Sequence, residues 1–293
     1  SSCKILYVCQ EITPYLAEND MSTLCRTLSQ SMQERGNEIR TFMPRYGLIN
    51  ERRNQLHEVI RLSGMNLIID DNDLDPFGRV QIYFIDNEDY FQRKFTLCDG
   101  EGSLFADNDE RAIFFARGVL ETVKKLRWVP DVVHVHGWFS AIVPVYLRNT
   151  FADDPVFKNV KIVMSLYDDG FDGELDAKFG QKIASEGVEK KHTALLEHPT
   201  YENLMKFVMN YIDGVICETA APSDELIGCL KEQGKPVLEY QDKATPAYLD
   251  QYEAFYRKNW QMNRRRNAAV AGISLCALFA ALFSCTKVDN TVG

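Results

Sequence analysis

A chain of 293 residues, 45% hydrophobic and 26% charged, has an ordinary globular composition with room for one large domain or two small ones. Its net charge of −9 argues against a nucleic-acid partner, because phosphate binding needs a basic face. Eight cysteines without a Cys-x-x-Cys pair point to neither a zinc site nor a disulfide framework, but to reduced thiols in a cytoplasmic protein.

In chain order, Cys3 to Cys9 is a nearly continuous apolar run and predicts a first buried strand. A loop follows around Pro14. Met21, Leu24, Cys25, Leu28 and Met32 then recur at helical spacing, up to a stop at Gly36. Glu38 to Met43 reads as the second strand, closed by Pro44. Together these make a βαβ unit whose first loop lies at the binding edge of a sheet. Glu58 to Leu67 and Val80 to Ile85 read as further strands, joined by the acidic loop Asp70 to Asp75. That loop lacks the spacing and terminal glutamate of a calcium site and reads as a solvated turn. Asp109 to Leu126 is an amphipathic helix with Ile113, Phe114, Val119, Leu120 and Val123 on its apolar stripe.

The stretch Pro130 to Leu147 organises the rest. Val132, Val133 and Val135, interleaved with His134 and His136, predict a buried parallel strand, and a helical segment starts near Ser140. Ligands of open α/β sheets bind at the carboxyl ends of such strands, so His136 and Trp138 are candidate site residues. A hydrogen-bonded structural histidine is the competing reading of His136. Lys161 to Leu166 is the next strand, with Tyr167 and Asp168 at its end. Helices are predicted over Tyr201 to Asn210 and Asp224 to Gln233, with short strands at Gly214 to Cys217 and Pro236 to Glu239. An aromatic helix, Ala247 to Trp260, closes one α/β domain spanning residues 1–260.

Residues 261–293 differ in kind. Met262 and Arg264 to Arg266 precede Asn267 to Ser284, which carries no charge and is near the lower limit for a membrane span. The order of methionine, arginines, apolar stretch and Cys285 resembles a bacterial lipoprotein signal, so Met262 onward reads as the start of a neighbouring reading frame. A tail anchor that would tether a cytoplasmic domain is the second reading, and an apolar C-terminal helix buried in the core the third. Membrane contact is expected only through residues 267–284.

Several long blocks, in order, resemble the N-terminal catalytic domain of bacterial glycogen synthases and plant starch synthases. They are KILYVCQEITPY, ERGNEIRTFMPRYGLIN, IYFIDNEDYFQRK and FADNDERAIFFARGVLETVKKLRWVPDVVHVHGWFSAIVPVYL. The resemblance covers about residues 3–167 and extends toward 260. It implies a Rossmann-like doubly wound parallel sheet, one half of a GT-B glycosyltransferase. The reaction it implies is retaining glucosyl transfer from ADP-glucose to an α-1,4-glucan, with no metal and no cofactor beyond the nucleotide-sugar donor. His136 matches the family's active-site histidine, which contacts the transferred sugar, and Trp138 its neighbour. Glu11, Arg45 and Tyr46, and Asn108 and Arg111, fall in matching blocks and are expected to bind substrate, as is Tyr167.

The departures from the family pattern are equally specific. A Lys-x-Gly-Gly-Leu loop that faces the donor phosphates is replaced by Leu16 to Met21, which brings in Glu18 and Asp20. Gly137 stands where the family has aspartate, and Ser165-Leu166-Tyr167-Asp168 where it has Thr-x-His-Asn. A carboxylate near a diphosphate costs on the order of 1 kcal/mol per repulsive pair. The expectation is therefore a glycosyltransferase domain that is degenerate or depends on a partner chain supplying the donor domain. A non-catalytic glucan-binding or regulatory domain is the alternative, and a relic kept for protein contacts the third reading.

Overall fold

In the computed structural model, which describes residues 2–54, 56–62, 64–70 and 81–258, the first apolar run forms β1 (Lys4–Cys9). It is followed by α1 (Asp20–Glu34) and β2 (Glu38–Pro44). The start of α1 is set by a capping box. Asn19 accepts a hydrogen bond from the Ser22 backbone at 2.8 Å, and Ser22 Oγ accepts one from the Asn19 backbone at 2.9 Å. Gly36 follows the helix at φ +93°, a conformation that only glycine adopts cheaply.

Glu58 to Leu67 forms a hairpin rather than one strand. β3 (Leu56–Leu62) and β4 (Met65–Asp70) pair antiparallel across Gly64 at φ +72°. The signal for the turn was the Ser63-Gly64 dipeptide, which sits between two short runs that read together as one strand. β4 pairs antiparallel with β5 (Gln81–Asp86). Most of the acidic loop Asp70 to Asp75 lies outside the described residues. Asp70 itself is buried and accepts a hydrogen bond from Tyr15.

After α2 (Asn108–Lys125) the chain returns through β6 (Val132–His136), every residue of which is buried. Asp109 and Glu110 open α2 and Lys124 and Lys125 close it, matching charge to the helix dipole. A short turn and α3 (Val143–Arg148) lead to β7 (Lys161–Leu166). Two short helices follow, α4 (Phe179–Ala184) and α5 (Lys190–Thr193), in a stretch to which the sequence reading assigns no element. α6 (Tyr201–Met209), β8 (Gly214–Cys217), α7 (Asp224–Glu232) and β9 (Val237–Leu238) come next. Residues 247–258 form a last helix, α8.

The nine strands lie in one sheet in the order β3-β4-β5-β2-β1-β6-β7-β8-β9. Pairs from β5 through β9 are parallel, and the hairpin adds an antiparallel edge. The chain winds outward from β1 to β2, then returns to place β6 on the other side of β1. That reversal makes the boundary between β1 and β6 the topological switch point, where such sheets open a crevice for ligands.

The apolar segment 267–284 and all of 261–293 lie outside the described residues. Among the described residues no helix is long and apolar enough to cross a membrane.

Candidate functional site

Cys9 and His136 end the two strands that flank the switch point and sit side by side in register. Beyond them opens a cleft of about 520 Å³, lined by Glu11 after β1, Asn19 to Met21 at the start of α1, Tyr167 to Asp169 after β7, Glu218 to Ala220 after β8, and Tyr240 after β9. Five of these residues are carboxylates: Glu11, Asp20, Asp168, Asp169 and Glu218. Burial raises the pKa of Glu11, with the Asp169 charge adding to it while a hydrogen bond from Asn19 opposes. Burial likewise raises Asp169, against hydrogen bonds from the Trp138 backbone and Tyr201. A larger groove of about 960 Å³ runs along α2 past Tyr90, Arg117 and Lys182. It holds none of the predicted site residues and lies away from the switch point.

Of the eight predicted site residues, Glu11 and Tyr167 line the cleft. His136 is fully buried; its Nδ1 is 2.8 Å from the Tyr167 hydroxyl, and its ring lies 4.0 Å from that of His134, tilted by 36°. Trp138 donates its backbone N–H to Asp169 and packs its indole against Phe171. The other four do not line the cleft. Arg45 pairs with Glu51 at 2.7 Å, and Tyr46 donates to the Gln10 carbonyl at 3.1 Å. Arg111, fully buried, donates to the Tyr90 carbonyl and to Asn108, and its guanidinium faces Phe91, Phe105 and Phe139. Burial lowers its pKa to about 10, so it stays charged at neutral pH. Asn108 in turn donates to the Leu97 carbonyl, so this pair fastens the loop after β5 to α2.

Residues that periodicity did not mark complete the site. Glu218, at the carboxyl end of β8, accepts from Ser165 Oγ at 2.8 Å and from Tyr252, and Lys243 lies 3.4 Å away. Since Ser165 donates to Glu218, it must accept from His134 Nε2–H at 2.6 Å. His134 Nδ1 is then the acceptor for the Tyr256 hydroxyl at 2.7 Å, and Tyr256 accepts from Tyr7 at 3.0 Å. The chain of hydrogen bonds therefore runs one way, from Tyr7 in the core to the Glu218 carboxylate at the cleft. It contains serine, histidine and glutamate but is no nucleophilic triad. The carboxylate holds the serine rather than the histidine, and Ser165 is buried.

The same network makes a pH prediction. Burial, with the neighbouring His136 adding, holds the His134 pKa well below its usual value. The unfolded chain therefore takes up a proton below about pH 6.5 that the native chain does not, so this residue's contribution falls as pH falls. Glu11 and Asp169, with raised values, act in the opposite sense, losing their contribution as pH rises through those values. Urea unfolding of the wild type and a His134→Gln variant from pH 7.5 to 5 isolates the histidine. The wild-type stability should fall by up to about 1.4 kcal/mol more per pH unit than the variant's.

The sheet order and the crevice at its switch point define a Rossmann-like domain of the GT-B glycosyltransferase architecture. The solved catalytic domain of starch synthase IV from Arabidopsis thaliana, bound to ADP and acarbose, superposes with a TM-score of 0.62. That match covers 82% of this chain and 52% of that one at 15% identity, a likeness of fold. The starch synthase catalytic domain profile matches residues 4–222, and the chain belongs to that family. It is 32% identical to glycogen synthase of Chlorobium limicola over 234 residues, covering 77% of this chain and 47% of the relative. It is 36% identical to that of Chlorobium phaeobacteroides over 194 residues, covering 63% and 40%. The chain thus spans about half the length of the curated relatives it matches. Tyr240, Lys243, Tyr252 and Tyr256 come from beyond the residues that the family profile matches.

Proposed function

We propose that the domain is the acceptor-side half of a glycogen or starch synthase-type glycosyltransferase, which moves glucose from ADP-glucose to an α-1,4-glucan. The glucan enters the cleft at the switch point, where carboxylates accept its hydroxyls and Tyr240 offers an aromatic face. His136, at the end of β6, is the group that meets the transferred sugar, with Glu11 and Tyr167 on the cleft wall. The observation that carries this reading is the coincidence of the cleft with the family-matched strand ends of β1, β7 and β8, with His136 one strand over from Tyr167.

The nucleotide end of the donor is held elsewhere, by a second domain in this or another polypeptide. Two features support that division. Five carboxylates repel a diphosphate. The amino end of α1, where free backbone N–H groups would attract phosphate, is occupied by its own Asn19–Ser22 capping box. A cytoplasmic setting accords with the unpaired cysteines among the described residues. A non-catalytic glucan-binding domain is the second reading, favoured by the complete burial of His136.

Thermal melting with maltoheptaose and with ADP-glucose tests the proposal. Maltoheptaose should raise the Tm by mass action once it exceeds the dissociation constant, and Tyr240→Ala should abolish the shift. No shift at tens of millimolar, roughly the upper range for weak sugar sites, would remove the glucan from this cleft.

A further inference from the structure

We propose that Tyr167 is an autoinhibitory cover over His136, holding the histidine away from the cleft until the tyrosine swings aside. The inference rests on the reading of the cleft as the sugar site and adds a closed state to it. Tyr167 is the first residue after β7 and lines the cleft, while His136, one strand over, is not among the lining residues. The Tyr167 hydroxyl lies 2.8 Å from His136 Nδ1, and the two rings are 5.9 Å apart. His136 has no accessible surface, and its Nε2 meets no hydrogen-bond partner among the described residues.

A buried imidazole nitrogen without a partner loses the hydrogen bond it would make in water, so a purely structural histidine would be expected to have both nitrogens satisfied. His134 on the same strand is that control. It is equally buried, with Tyr256 on one nitrogen and Ser165 on the other. His136 has one well-formed side-chain hydrogen bond, with Tyr167, which lines the cleft, and the Cys25 thiol interacts with it from the core side. Tyr167 is only 7% exposed, so swinging it aside costs part of its packing as well as this one hydrogen bond, and the closed state dominates until a ligand favours the open one. Swinging the Tyr167 ring toward the cleft opens a path to His136 without disturbing the network around His134.

Site-resolved modification by diethyl pyrocarbonate, read by mass spectrometry on the full chain, tests the cover. In the wild type, His198, whose side chain is 77% exposed, should react first, with His136 and His134 both slow. In Tyr167→Ala the His136 rate should rise at least about tenfold while His134 stays slow, since reaction at a buried group follows its open population. His134 also reports on folding, because a collapsed variant would expose both rings together. In that event Tyr167→Phe decides, since it keeps the ring and removes only the bond. His136 should then react about threefold faster or more. A wild-type His136 as reactive as His198, or a His136 rate unmoved by the deciding variant, overturns the proposal. Maltoheptaose should slow His136 in the opened variant. If His136 opens but the sugar gives no protection, the glucan reading fails and the cover stands.

Discussion

Replacing Gly137 with alanine should destabilise the protein by about 3–5 kcal/mol, lowering its Tm by roughly 10 °C. Gly137 joins β6 to the turn carrying Trp138, at φ +89° and ψ 150°, a region populated almost solely by glycine. A Cβ there would lie 2.6 Å from Gln10 Oε1 and 2.8 Å from Gln10 Cβ. Gln10 cannot simply move, because its Oε1 accepts the Phe139 N–H, its N–H bonds the His136 carbonyl and its own carbonyl accepts from Tyr46. Strain and clash therefore add at the switch point. Gly36→Ala separates the two, since a Cβ at φ +93° there meets nothing within 4 Å. Strain alone should cost that variant about 1–2 kcal/mol. Equal Tm losses in the two variants would show that the contact with Gln10 is unimportant. The same geometry explains why the family's aspartate has no place here. Asp169 instead reaches in from after β7 to accept the Trp138 N–H.

Glu218→Ala should be of similar size, about 3–5 kcal/mol, because it strips the acceptor from a buried network. The hydroxyls of Ser165 and Tyr252 would lose the carboxylate, and Lys243 its ion pair. Ser165 is buried, so water cannot readily replace the lost acceptor. Glu218→Gln keeps the shape and one acceptor oxygen, and should lose only about half as much. The damage should also reach α8, which docks through Tyr252 on Glu218 and Tyr256 on His134. Hydrogen exchange in residues 247–258 should rise first in Glu218→Ala. Unchanged exchange there would mean that the helix is held by its other contacts, the Tyr256–His134 bond and the Arg35 pairs with Asp250 and Glu253 among them.

The sequence made the frame legible where a single period ran unbroken. β1, α1, β6 and α2 each carry a clean apolar pattern, and their ends fall within a residue or two of those expected. The hairpin of β3 and β4 was hidden because its turn is marked only by the short Ser63-Gly64 dipeptide between two runs of similar composition. The helices α4 and α5 were hidden because six and four residues are too few to show a period. Glu11 could be placed at the cleft because it falls in a block that resembles the family, and Tyr167 because it follows a predicted strand. Glu218 obeys the same rule, standing just past Gly214 to Cys217, and that rule was the signal available for it. The link from Tyr256 to His134 spans 122 residues and leaves no local trace. Tyr252 and Tyr256 read as an aromatic helix face, yet their hydroxyls decide how the histidine strand is wired.

A calorimetric titration of the full chain with maltoheptaose, and separately with ADP-glucose, tests the central claim that this cleft is the acceptor side. The account predicts heat from maltoheptaose that is lost in Tyr240→Ala, and little or none from ADP-glucose alone. Binding of ADP-glucose without any binding of maltoheptaose would contradict it, showing that the carboxylate-lined cleft is not the glucan's place.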